Sequence, residues 1–135
     1  MMRRYLIKTL DVGGRKFCLT HSCYIPECEN RLYNELDHDT VADVVWNSMF
    51  RDDETRCGNV YAGHDYMFIT GHVPTQVVRR NNIPGEDFNQ LKAYGFDNFL
   101  DIDGGCSLGI NPMICNGAIF VRLDDMKEFP VPMNV

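Results

Sequence analysis

The sequence has no apolar run near the ~20 residues that a membrane-spanning helix needs. It has no internal repeat and no tract of low complexity, which excludes solenoids and biased, disordered segments. Basic residues are in the minority: 13 Lys and Arg stand against 19 Asp and Glu, for a net charge of −6. Nucleic acid and anionic bilayers are bound through cationic surfaces that displace counterions, so neither is an expected partner. No glycine pattern forms a phosphate cradle, because Gly104-Gly105 stands by itself. Strands and helices do not alternate regularly, which argues against a doubly wound nucleotide fold. No serine, threonine or cysteine sits in a nucleophile motif. Arg3 and Arg4 precede apolar residues, but Lys8 and Asp11 break that stretch. A secretory leader is therefore not expected, and a cytoplasmic location is.

What is present is a globular composition, 44% hydrophobic and 24% charged over 135 residues. That length suits one domain, residues 1–135, with a core of its own. Six cysteines occur, and Cys18, Cys106 and Cys115 lie beside apolar residues. Without a leader they are expected as free thiols.

Tyr5 to Leu10 and Lys16 to His21 predict a hairpin turned at Gly13-Gly14, where positive φ is needed. A short helix is expected over 29–36. A second is expected from Thr40 to Phe50, capped by Asp39 or Thr40, with Val41, Val44, Val45, Ser48 and Met49 on one face. Tyr66 to Thr70 is an unalternated apolar run, a strand covered on both faces. Residues 79–97 are polar and predict an excursion with one helical turn at Phe88 to Ala93. Strands follow at Asn98 to Asp103, Gly117 to Leu123 and Glu128 to Met133. The two prolines of the last confine it to an edge. The pattern is α/β, strand-dominated, with short helices.

Two histidines, His21 and His72, close strands, where a rigid sheet can present a ligand to a loop-lined cleft. His64 and His38 read as solvated or capping groups. His21, Cys23 and Cys28 match no common structural zinc spacing. Asp101 and Asp103 are metal ligands, an acid/base couple, or hydrogen-bond acceptors for the adjoining loop, and the last reading is preferred. Trp46 suits a core or a cleft wall. Arg51 and Arg56 are either anion-binding groups or ordinary surface charges.

Taken in order, these segments resemble a known family. Phe17-Cys18-Leu19-Thr20-His21, Val44-Val45-Trp46, Phe68-Ile69-Thr70-Gly71-His72-Val73-Pro74-Thr75, Phe99 to Gly105 and Gly117 to Asp125 are similar to successive segments of the calcineurin-like metallophosphoesterases. Within that superfamily the segments look like those of the bacterial and phage serine/threonine protein phosphatases. The resemblance runs over residues 5 to 131, and its most specific element is Gly-His-x-Pro-Thr. It covers only the C-terminal half of the family pattern. The Asp-x-His, Gly-Asp-x-x-Asp-Arg-Gly and Gly-Asn-His-Glu motifs of the first half are absent, and Ser48 stands where an arginine is frequent.

The resemblance implies half of a two-sheet sandwich flanked by helices, with a mixed or antiparallel sheet. It implies His21 and His72 as ligands of one divalent metal (manganese, zinc, iron or nickel), a phosphorylated substrate, and Arg51 or Arg56 as substitutes for the phosphate-binding arginine. No residue of this chain is implied as catalytic. Two-metal hydrolysis needs bridged ions, so inactivity is expected until an N-terminal half completes the centre. Removing that half would uncover several of Phe17, Leu19, Phe68, Leu100, Ile102, Phe120 and Val121. A homodimer or another protein covering that sheet is then expected. Two alternatives stay open: a catalytically dead half-domain serving as an interaction or regulatory module, phage-encoded in one version, and a small metal-binding protein using His21, His72 and a cysteine.

Overall fold

A computed structural model describes residues 4–47, 63–86 and 89–133. Among these residues the chain is a mixed α+β fold, dominated by a mixed five-stranded sheet with two short helices and a separate two-stranded sheet. Strands β1 (Ile7–Val12) and β2 (Arg15–Thr20) form the expected hairpin. Gly13 and Gly14 turn it with φ of 60° and 80°, values that only glycine adopts without strain. Tyr5 lies outside the strand and touches Leu32 through a single bridge.

The segment 26–36 holds two 3-10 turns, Pro26–Cys28 and Tyr33–Glu35, where one short helix was expected. Helix α1 runs His38–Trp46 and starts earlier than the sequence pattern suggested. Its cap is Asp37, not Asp39 or Thr40. The Asp37 carboxylate accepts from the Thr40 amide at 2.9 Å and the Thr40 hydroxyl at 2.7 Å, which satisfies an otherwise orphaned donor of the first turn. Ser48 and Met49, placed on this helix by spacing, lie outside the described residues.

Strand β3 (Met67–Thr70) pairs in parallel with β2 on one side and with β5 (Phe99–Asp101) on the other. β4 (Tyr94–Phe96) closes that edge antiparallel to β5, so the order is β1-β2-β3-β5-β4. The register aligns Cys18, Phe68 and Phe99 in one row. All three are buried, and Val44 of α1 and Val78 of helix α2 (Thr75–Asn82) join their cluster with Ile7 and Cys28. Burying a side chain of Phe or Val size stabilises the fold by about 1.5–3 kcal/mol. The polar excursion expected over 79–97 thus contains the end of a helix and a strand. Arg79 explains why α2 was not legible: it is 1% exposed and internally paired with Glu86 and the Gln90 carbonyl.

β6 (Gly117–Arg122) and β7 (Lys127–Pro132) form the second sheet, with β7 exposed along its length as the prolines required. It docks on the first through the Gly117 amide, which donates to the Gly104 carbonyl at 2.9 Å. Neither glycine has room for a Cβ: at Gly104 it would collide with the Gly117 carbonyl. The expectation of a broadly uncovered main sheet is corrected. Phe17 and Phe68 are fully buried within the chain, and Leu19, Leu100, Ile102 and Val121 are half-buried. Of that set only Phe120 is open, at 60%. The reason is that the chain's own helices and loops cover the sheet. No helix among the described residues is long and apolar enough to cross a membrane. The five described cysteines are free, and burial followed by the nearby Glu29 charge pushes the Cys18 thiol up to about 12.

Candidate functional site

The parallel strands β2, β3 and β5 end side by side, which brings the residues just beyond them together. The Gly71 amide donates to the His21 carbonyl at 3.0 Å, and Thr70 Oγ1 stands 3.2 Å from the same oxygen. The Ile102 amide donates to the Thr70 carbonyl. His21, His72 and Asp103 therefore share one rim, the C-terminal end of the sheet, where parallel sheets ordinarily present ligands.

His72 Nδ1 lies 3.2 Å from His21 Nε2, with ring centroids 5.1 Å apart. His72 reaches this position with φ of 77°, a left-handed conformation that costs a non-glycine residue about 1–2 kcal/mol. Such strain persists only where surrounding structure over-determines it, and it concentrates at functional sites. Gly71, by contrast, is not demanded by crowding, since a Cβ there would meet only ordinary contacts at 3.8 Å.

Trp46 forms a wall of the site and is no part of the core. Its ring centroid is 6.0 Å from that of His72 and the side chain is 70% exposed. The loop after His21 places it there. The Cys23 amide donates to the Val44 carbonyl at 3.1 Å, and the Ser22 hydroxyl to the Asn47 carbonyl at 2.8 Å. Both bonds clamp the last turn of α1 to the rim.

Partial burial lowers the His21 pKa. The His72 imidazole adds to that, and the Asp103 carboxylate opposes it. His21 is thus held neutral near pH 7, the form whose lone pair can bind a cation. Two nitrogens ligating one zinc-like ion at about 2.0–2.1 Å, at 90–110° to each other, stand about 2.9–3.4 Å apart. The observed 3.2 Å fits that range. It equally fits an N–H···N hydrogen bond between one protonated and one bare ring nitrogen.

The other candidates separate. Among the described residues no three His, Cys, Asp or Glu side chains gather as a metal site, so the set of His21, His72 and a cysteine is not assembled. Asp101 and Asp103 serve the adjoining loop: Asp101 Oδ1 accepts from the Asp103 amide at 3.0 Å, and Asp103 Oδ1 from the Gly105 amide at 2.8 Å. Asp101 is fully buried, and desolvation pushes its carboxyl well above the usual range. His64 packs edge-on against Tyr24 and Phe68, and His38 contacts Asp39 at the exposed start of α1. Arg51 and Arg56 lie outside the described residues.

A cavity of about 620 Å³ lies at the opposite ends of the same strands, lined in part by Lys16, Asp65 and Asn98, and takes in neither rim histidine. Sequence reasoning did not anticipate the strained backbone of His72, and no residue type there signals it. Comparison of the chain with protein-family models and with curated proteins finds no match in either set.

Proposed function

We propose that this chain is the C-terminal portion of a metal-dependent phosphoesterase of the serine/threonine phosphatase type, with its β6–β7 hairpin as part of the second sheet of a sandwich. The observation that carries the reading is the His21–His72 pair, two imidazole nitrogens 3.2 Å apart at the ends of adjacent parallel strands. His21 and His72 would hold one divalent cation such as manganese, zinc, iron or nickel, of which imidazole suits zinc, iron and nickel best. When bound, such an ion supplies Lewis-acid polarisation of a phosphoryl oxygen. The chain's own part is narrower. β3 and its bonds to the His21 carbonyl hold the two rings in register, burial keeps His21 unprotonated, and Trp46 shields one side of the pair from water.

Two imidazoles provide no anionic bridge, so hydrolysis is expected only with an N-terminal half that supplies the missing carboxylates. Calorimetric titration with nickel and zinc tests the reading. One site per chain is expected, weakened at least tenfold in both His21→Ala and His72→Ala. Absence of binding at millimolar metal, or binding indifferent to both substitutions, refutes it. Hydrolysis of p-nitrophenyl phosphate with manganese and a complementing N-terminal half tests the activity. A second reading, a catalytically silent interaction module, is favoured by one observation, the exposed apolar face of the β6–β7 sheet.

A further inference from the structure

Asp103 is held at three of its polar groups and open at a fourth. Its amide donates to Asp101 Oδ1 at 3.0 Å, its carbonyl accepts from the Thr75 amide at 2.8 Å, and its Oδ1 accepts from the Gly105 amide at 2.8 Å. The buried Asp101 side chain and the start of α2 thereby fix where the carboxylate stands. Oδ2 has no hydrogen-bond or ion-pair partner among the described residues. The residue is half-buried. An ionised carboxylate is an acceptor only, and one drawn partly out of water is destabilised unless a donor or a cation replaces the lost hydration.

Gly71 stands between Asp103 and His21. Its amide donates to the His21 carbonyl, and a Cβ on it would stand 3.8 Å from that carbonyl oxygen and 3.8 Å from the Asp103 Cβ. Neither crowding nor a positive φ requires glycine there. What the glycine does is leave no side chain between the carboxylate and the histidine rim. The charge is felt across that gap: Asp103 is the one anion among the described residues that acts on His21, and it opposes the lowering of the His21 pKa.

We infer that Asp103 is a positioning residue of the rim site: its Oδ2 faces the cation that His21 and His72 hold across one layer of water, and its charge tightens binding without ligating the ion. The inference rests on the metal reading above. Two neutral imidazoles leave both charges of a divalent ion uncompensated and most of its coordination positions to water. A carboxylate one water away offsets that charge where the surroundings are partly desolvated. Asp103 does not gather with the two histidines into a three-residue ligand set, so its contact runs through water. Its three bonds hold the carboxylate in place before any ion arrives.

Asp103→Asn tests it in the full chain. The substitution keeps the volume and an Oδ1 to accept from the Gly105 amide, so the variant is expected to stay folded by circular dichroism, and only the charge is lost. Calorimetric titration with nickel near neutral pH, in about 0.05 M sodium chloride, is expected to show binding about tenfold weaker than wild type. In about 0.5 M salt the gap is expected to narrow to about threefold, because screening acts on a charge and not on a packing defect. The visible absorption bands of the cobalt-loaded chain are expected at the same wavelengths in both proteins, since the ligands are the same. An Asp103→Asn chain that binds nickel as tightly as wild type overturns the inference and leaves the metal reading standing. So does a gap that salt leaves unchanged, the mark of a structural loss, or a shift of the cobalt bands, the mark of a direct ligand. A wild-type chain that binds no nickel overturns the inference together with the reading it rests on.

Discussion

Replacing His72 by alanine and by glycine separates what its ring contributes from what its backbone costs. Both substitutions remove the imidazole and its contacts with His21 and Trp46, so those losses cancel when the two variants are compared. Alanine retains a Cβ at φ of 77° and keeps the left-handed penalty of about 1–2 kcal/mol. Glycine is free of that penalty but loses about 0.4–1 kcal/mol through the greater freedom of its unfolded chain. The difference leaves His72→Gly more stable than His72→Ala by about 0.5–1 kcal/mol, which for a domain of this size is about 2–5 °C in Tm. Thermal and urea melts followed by circular dichroism, in chelator at neutral pH, read the gap directly. At an ordinary strand position the order would reverse, because glycine is the poorer residue there. An alanine variant as stable as the glycine variant would therefore show that the left-handed conformation is not held. Both variants should lose nickel binding to the same extent. A glycine variant that melts higher yet binds no metal would show stability given up to aim a ring.

Asp101 gives a pH-dependent test. Its folded pKa is raised by burial, so the native state retains the proton longer than the unfolded one; its stability contribution is full below about pH 4 and is lost as pH rises through the raised value. Asp101→Asn escapes this loss, so its stability relative to wild type should climb between pH 4 and 8 in urea melts, and a flat difference would refute the assignment. Gly117→Ala should be severe, about 3 kcal/mol or more, because the new Cβ would collide with the Val131 carbonyl and stand 2.6 Å from Leu91. Hydrogen exchange should show the β6–β7 hairpin loosened first. Arg79→Leu should lose about 3 kcal/mol in urea titration, since it deprives the part-buried Glu86 of one of its two cations.

Much of the secondary structure was legible because it is written locally. Gly13-Gly14 requires its turn, the apolar run at 67–70 requires a strand covered on both faces, and Pro130 and Pro132 require an edge. Helix α2 was not legible, because its inward face carries Arg79 and Gln76, whose partners come from residues 86–115. A polar residue buried by a distant partner looks like a surface residue in sequence. β4 was missed for a related reason: three residues become a strand only through the ladder with β5. The cap was displaced by two or three residues because capping depends on side-chain geometry that Asp37, Asp39 and Thr40 satisfy equally well on paper.

By itself the amino-acid order determined that two strands would close at or just before His21 and His72, and that the chain would be acidic and strand-rich. Only the tertiary structure decided that those two strands lie side by side, in parallel, with Leu19 opposite Ile69. That choice brings rings 51 residues apart in sequence to 3.2 Å and turns His72 into the left-handed region. Parallel pairing is a long-range contact whose register is set by packing across the whole sheet and by the closure of the intervening chain. No local periodicity records it.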